Sequence, residues 1–346
     1  MAYHKDTQTV SLFDDDKYQQ YEDQFDPLHN DRQARRKRKP KAKHIAKKAT
    51  QQVLEEIADL EGLEGGFKTT YVPGLFEQGW LLQALQPFYE QKLITDVLGR
   101  VKGGKEANVY RCMAHPSTGE TLIAAKVYRP RMFRNLRNDA MYREGRDILT
   151  GNGKALNKKD DRTMRAIGKK TAYGQQVSHT SWLMHEYKTL NTLFQIGASV
   201  PQPFAAGENA LLMAYFGDET IGAPTLHEID LPRQHAKRVF AAVMTNIELM
   251  LQHDMIHGDL SAYNLLYWDD EVILIDFPQV TITDVNSNAR TILERDITRL
   301  CDYFVPRGVP CDPSDLTHAL WQKYVGKVGF YREVDVSRTW DSDDVQ

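Results

Sequence analysis

The chain has 346 residues, 41% of them hydrophobic and 26% charged, and a formal net charge of −3. That suits one two-lobed catalytic unit or two modest domains. Three cysteines, Cys112, Cys301 and Cys311, give neither a disulfide framework nor a CxxC metal site. No apolar run approaches the roughly 18 residues of a membrane span, and MAYHKDTQTVSLFDDD lacks the apolar core of a signal peptide. The expectation is a soluble, cytoplasmic protein in a reducing compartment.

The small net charge conceals strong local blocks. Residues 1–31 carry eight acids against two bases, and residues 32–48 carry ten Lys or Arg and no acid. Nothing in RRKRKPKAKH can bury a core, so residues 1–50 read as a disordered arm, acidic and then basic. Residues 129–170 hold thirteen bases against five acids. Both basic segments, 32–48 and 129–170, suit the phosphates of RNA.

Ordered patterning begins at Gln51. Val53, Ile57, Leu60 and Leu63 recur close to helical spacing, and Gly65-Gly66 ends the run. Residues 79–93 form a second helical segment, bent or broken at Pro87. Residues 51–93 are therefore an N-terminal helical extension, too short for a complete winged helix and its linker. ITDVLGRVKGG, ANVYRCMA and TLIAAKVYR are rich in alternating Val, Ile and Tyr, which predicts three strands over 94–128 with HPSTGE as a turn. Residues 129–180 form a long, polar, basic insert. SWLMHEYKTLNTLFQIG (181–197) reads as a helix capped by Ser181 and closed by Gly197, with Leu183, Tyr187, Leu190 and Phe194 on one face. Two short strands follow around a Gly-Glu-Asn turn, then an amphipathic helix over 233–254. NLLYW and VILIDF flank a turn at 269–271. The chain is helical again from about Ala289 and ends acidic. The fold class is α+β, with a small, mainly β N-lobe over 94–212 and a reduced helical C-lobe over 213–346.

The chemistry concentrates in IHGDLSAYNLLYWDDEVILIDF. Asp259 and Asn264 stand five apart on a loop after a long helix, and Asp276 ends an apolar strand twelve residues later. Phosphoryl transfer uses such a set. One carboxylate orients the attacking hydroxyl and accepts its proton, while an amide oxygen and a second carboxylate hold magnesium against the phosphates. Lys126, in the strand IAAKVY, follows the glycine-bearing VKGGKEANVY. That order places Lys126 at the α- and β-phosphates and Ala124 against adenine. Gly103-Gly104-Lys105 is neither a Walker motif nor G-x-G-x-x-G. It still offers backbone N–H groups near phosphate, with Lys105 adding charge and Glu106 fixing the loop. The lysine needs a carboxylate partner. Glu144 is one candidate, but Glu186 is preferred, because its helix directly precedes the fourth strand.

These residues resemble the RIO family of atypical serine/threonine protein kinases. GKEANVY (104–110), MIHGDLSAYN (255–264) and IDFPQV (275–280) carry the resemblance, which covers roughly residues 90–305. It implies a protein-kinase-like fold and an ATP- and magnesium-dependent kinase or ATPase, with manganese as an alternative metal. Asp259, Lys126 and Asp276 would be catalytic, and Asn264 and Asp276 the metal ligands. The nucleotide would be contacted by Gly104, Lys105, Glu106, Val109, Ala124, Lys126, Glu186, Met213, Tyr215, Ser261 and Ile275. Met213 stands at the gatekeeper position, and Ala214-Tyr215-Phe216 would form the hinge. The family is linked to maturation of the small ribosomal subunit, and some members act as ATPases through a phosphorylated metal-binding aspartate, here Asp276. One departure is Ala262, where the family carries Glu.

Two other readings stand beside this one. A small-molecule kinase of aminoglycoside or choline type shares the H-G-D-x-x-x-x-N loop, but GKEANVY argues against it. A nucleotide-binding assembly scaffold without turnover would fit the absence of an A-P-E-like anchor after Asp276.

Overall fold

A computed structural model describes residues 67, 69–104, 106–129, 144, 146–157, 160–169 and 171–326. The expected arm 1–50, the first helix of the extension, Lys105 and the acidic tail lie outside the described residues. The chain divides into two units. One comprises residues 1–135 and 209–212, the other 136–208 and 213–346.

The first unit is a sheet backed by a helix. Helix α1 (Leu75–Glu90) runs through Pro87. The expected break does not occur, because Pro87 lies in the last turn and Leu81, Leu85 and Phe88 are fully buried around it. Strands β1 (Ile94–Gly103), β2 (Ala107–Ala114) and β3 (Leu122–Tyr128) form an antiparallel meander. Pairing of Val109 with Lys126 and of Arg111 with Ala124 puts these four on one face. Asn108, Tyr110 and Cys112 occupy the other face and are buried. On that buried face Glu77 of α1 accepts hydrogen bonds from the Tyr110 hydroxyl and from Asn108 Nδ2. The Asn108 side chain also accepts from Arg129 Nη2 at 3.1 Å. The conspicuous GKEANVY motif thus faces two ways: Val109 lies beside Lys126, while Asn108 and Tyr110 anchor the helix.

The second unit is mainly helical. Helix α2 (Asp161–Gly168) is followed closely by α3 (Ala172–Gln195). The expected helix at 181–197 therefore starts nine residues earlier, and the insert ends correspondingly sooner. Thr171, not Ser181, caps α3, accepting from Gly174 N at 3.1 Å. Ser181 lies inside the helix, and its hydroxyl accepts from Leu149 N at 2.9 Å. Contacts group α3 with the second unit rather than with the strands before it, so the boundary differs from 94–212. The reason is packing: Leu190 and Leu193 belong to the helical core.

Strands β4 (Pro203–Ala206) and β5 (Ala210–Ala214) precede α4 (Arg233–Gln252). Short strands β6 (Met255–Ile256) and β9 (Thr281–Ile282) pair with each other, as do β7 (Leu265–Trp268) and β8 (Glu271–Leu274). The β7–β8 turn has Asp269 and Asp270 both at positive φ, as a two-residue hairpin twist requires. Helices α5 (Ala289–Phe304) and α6 (Pro313–Tyr324) complete the unit. Val243, Ile247, Leu265, Leu274, Leu293 and Phe304 centre its core. Among the described residues no helix is long and apolar enough to cross a membrane. The three cysteines are free.

Candidate active site

The loop between β6 and β7 is built from buried polar groups, each satisfied by a specific partner. His257 directly follows β6. Its Nε2 lies 3.1 Å from Ile275 O, and its Nδ1 accepts from Asp259 N at 3.3 Å. A carbonyl at one nitrogen and an N–H at the other place the ring proton on Nε2. His257 is therefore a strut between the loop and the strand end that leads to Asp276.

Gly258 comes next, at φ +84. A Cβ here would lie 2.3 Å from Gln279 O, so only glycine fits. Its N–H donates to Asp296 Oδ2 at 2.8 Å, and its carbonyl accepts from Arg295. Burial holds the Asp296 carboxyl above the usual carboxylate range, with the Arg295 and Arg299 guanidiniums pulling the other way.

Asp259 is buried. Its Oδ1 accepts from Arg299 Nη1 at 2.6 Å, and its Oδ2 from Asn264 Nδ2 at 3.2 Å. The same Nδ2 donates to Asp259 O at 2.8 Å. With its nitrogen engaged inside the loop, Asn264 has Oδ1 as the atom suited to a hard cation. Ser261 is fully buried and caps the turn Ala262–Asn264, accepting from Tyr263 N at 3.3 Å. Ile275 N donates to Asn264 O at 3.1 Å, which ties the loop to the end of β8. Asp276 follows at φ +73, a backbone state that non-glycine residues seldom adopt.

The structure thus brings Asp259, Ser261, Asn264 and Ile275 together, with Asp276 next in the chain. Glu186 is buried on α3. Glu144, the other candidate partner for the lysine, instead accepts from Ser287 Oγ at 2.8 Å and from Asn288 Nδ2. Met213 packs against the helical core. The Tyr215 hydroxyl donates to Ile221 O at 2.8 Å, closing the turn after β5.

The remaining candidates belong to the first unit. Gly104 makes the tight β1–β2 turn: its N–H donates to Ala107 O at 2.9 Å, and a Cβ would lie 2.8 Å from that oxygen. Glu106 O accepts from Arg129 N at 2.9 Å. Val109, Ala124 and Lys126 share one sheet face, with Lys126 Nζ 5.5 Å from the centroid of the Tyr128 ring.

Among the described residues no group of three or more His, Cys, Asp or Glu could hold a metal unaided. Asn264 and Asp276 are the type of sparse oxygen set that magnesium uses when phosphate completes its shell.

Sequence reading missed Arg295, Asp296 and Arg299, which appeared only as part of a helical tail. A signal was present: Asp296 falls on the stripe of Ile292, Leu293, Ile297 and Leu300, where a charge must be paired.

The RIO domain model matches residues 108–316. The chain belongs to the RIO family. The RIO-type serine/threonine-protein kinase Rio1 of Methanocaldococcus jannaschii is 30% identical over 226 residues, 65% of this chain and 68% of that protein. The Haloferax volcanii protein of the same name is 28% identical over 218 residues, 63% of this chain and 66% of the relative. Serine/threonine-protein kinase RIO1 of Chaetomium thermophilum is 26% identical over 230 residues, which span 63% of this chain and 41% of the relative. The RIO match takes in the whole loop 255–264 and α5, so its span includes every residue that grips Asp259.

Proposed function

We propose that this chain is an ATP- and magnesium-dependent phosphotransferase of the serine/threonine protein kinase type, working as a kinase or an ATPase. One observation carries the reading: a buried Asp259 carboxylate fixed by Arg299 and Asn264, in a loop tied at Ile275 to the segment that leads from β8 to Asp276. The relatives' names support the same class.

In this reading Asp259 orients an acceptor hydroxyl and takes its proton. The acceptor oxygen bonds to the γ-phosphorus as the bond to the ADP oxygen breaks. Asn264 Oδ1 and the Asp276 carboxylate hold magnesium, which offsets the charge on the phosphates. Lys126 holds the α- and β-phosphates. Phosphate caught on Asp276 and then lost to water would make the same residues an ATPase.

The test is magnesium-dependent ATP turnover by the purified chain beside Asp259→Asn and Asp276→Asn, with retained phosphate measured. Turnover cut at least about 10²-fold in both variants, to a small residual rate, is the expected outcome. Nucleotide binding without turnover or transfer, even with ribosomal particles present, would sink the enzyme reading. The basic segments 32–48 and 129–170 support a ribosomal RNA or pre-ribosomal partner. Its binding should weaken steeply with salt; salt-independent binding would count against it.

A further inference from the structure

Asp259 is not held by its own loop alone. Helix α5 presents three side chains to two consecutive loop residues. Asp296 takes the N–H of Gly258, Arg295 its carbonyl, and Arg299 the carboxylate of Asp259. Arg299 and Asp259 are both almost wholly buried, at 3% and 8% side-chain exposure.

We propose that Arg299 is a positioning residue for phosphoryl transfer, acting through Asp259. The proposal rests on the reading of Asp259 as the residue that orients the acceptor hydroxyl. A carboxylate on a loop can rotate about its last bond. Here the two oxygens are gripped from different elements, Oδ1 from α5 at 2.6 Å and Oδ2 from Asn264 at 3.2 Å. Two donors on opposite sides fix the carboxylate plane and with it the direction in which a hydroxyl is met. The charge on Arg299 also compensates a carboxylate that burial would otherwise disfavour. Lysine supplies that charge as a point on a flexible stem, without the planar guanidinium. Arg299 touches no reacting atom in this scheme; it sets where Asp259 points.

The experiment is steady-state magnesium-ATP turnover of the whole chain as wild type, Arg299→Lys, Arg299→Met, Asp259→Asn and the Asp259→Asn/Arg299→Met double variant. Nucleotide binding confirms that each is folded. Misplacing a reacting group by about 1 Å costs on the order of 10²-fold. Arg299→Met should therefore lose roughly that much kcat, while the KM for ATP stays within about twofold. Arg299→Lys keeps the charge and should fold even if the methionine variant does not. Loss of one charge-assisted bond should lower its kcat about tenfold. In the Asp259→Asn background, Arg299→Met should cost almost nothing further, because the group it acts through has changed.

A wild-type rate in Arg299→Lys would overturn the proposal, as would losses that multiply in the double variant. If Asp259→Asn is cut to its residual rate while the Arg299 variants run at the wild-type rate, only the role of Arg299 falls. If Asp259→Asn turns over ATP like wild type, the reading of Asp259 falls and takes this proposal with it.

Discussion

Gly258→Ala is the most direct test of how the loop is held. The glycine sits at φ +84, where an added Cβ would lie 2.3 Å from Gln279 O and 2.9 Å from Gln279 C. The left-handed backbone alone costs an L-residue about 1–2 kcal/mol. Forcing a methyl group into backbone atoms adds about 1–3 kcal/mol, so the whole penalty is about 2–5 kcal/mol. Gly119 provides the control. Its φ is +78, but nothing lies within 4 Å of a Cβ built there, so Gly119→Ala should cost only about 1–2 kcal/mol. Urea unfolding of the two variants beside wild type separates the conformational part from the contact part. By melting temperature, at about 2–4 °C per kcal/mol for a unit of this size, Gly258→Ala should fall by about 4–20 °C. Equal losses in the two variants would refute the argument from contact, and so would a Gly258→Ala loss below about 0.5 kcal/mol.

Tyr110→Phe removes the buried hydroxyl that donates to Glu77. A bond to a charged acceptor contributes about 1.5–3 kcal/mol. Glu77 keeps Tyr71 and Asn108 as donors, so the low end of that range is expected in chemical denaturation. An unchanged midpoint would show that α1 is held otherwise. His185 supplies a pH prediction. Burial pushes its pKa below the usual imidazole value, the bond to the Asp147 carbonyl opposes this, and Arg146 and Lys188 add to the lowering. The unfolded chain therefore takes up the proton first. The contribution of His185 is fully present above about pH 6.5 and is lost as pH falls toward the folded value. The melting-temperature advantage of wild type over His185→Gln should shrink between about pH 7.5 and 5.5; an advantage that grows on acidification would contradict it.

Much of this architecture is legible from side-chain alternation and turn chemistry. The three strands over 94–128 declare themselves through β-branched and aromatic residues, and Asp269-Asp270 declares the β7–β8 hairpin. The loop from His257 to Asn264 is equally plain, because its residue types are tied to one chemistry at one spacing. The start of α3 is not legible. AYGQQVSHT is polar and carries a glycine, so it shows no apolar period. What makes it helical is close packing: a Cβ at Gly174 would lie 2.1 Å from Ala166 O, which only a fold that already juxtaposes α2 and α3 requires. The grip of α5 on the loop is hidden for another reason. Arg295, Asp296 and Arg299 lie about forty residues from their partners; the apolar stripe marks Asp296 as buried but names no partner for it. Glu77 is likewise silent, since the strand residues Asn108 and Tyr110 that it holds lie more than thirty residues away.

Five described residues other than glycine have positive φ. Lys92, Asp254, Asp269 and Asp270 turn the chain at helix ends or in a hairpin, where such geometry is ordinary. Asp276 does neither. Glycine enters this region without steric penalty and asparagine tolerates it well, so the backbone at 276 has no preference of its own for aspartate. A library sorted for thermal tolerance alone, with no demand on turnover, should therefore enrich glycine or asparagine at position 276. The same library sorted for turnover should hold the carboxylate, and the gap between the two outcomes would measure how far chemistry and folding pull this one position apart.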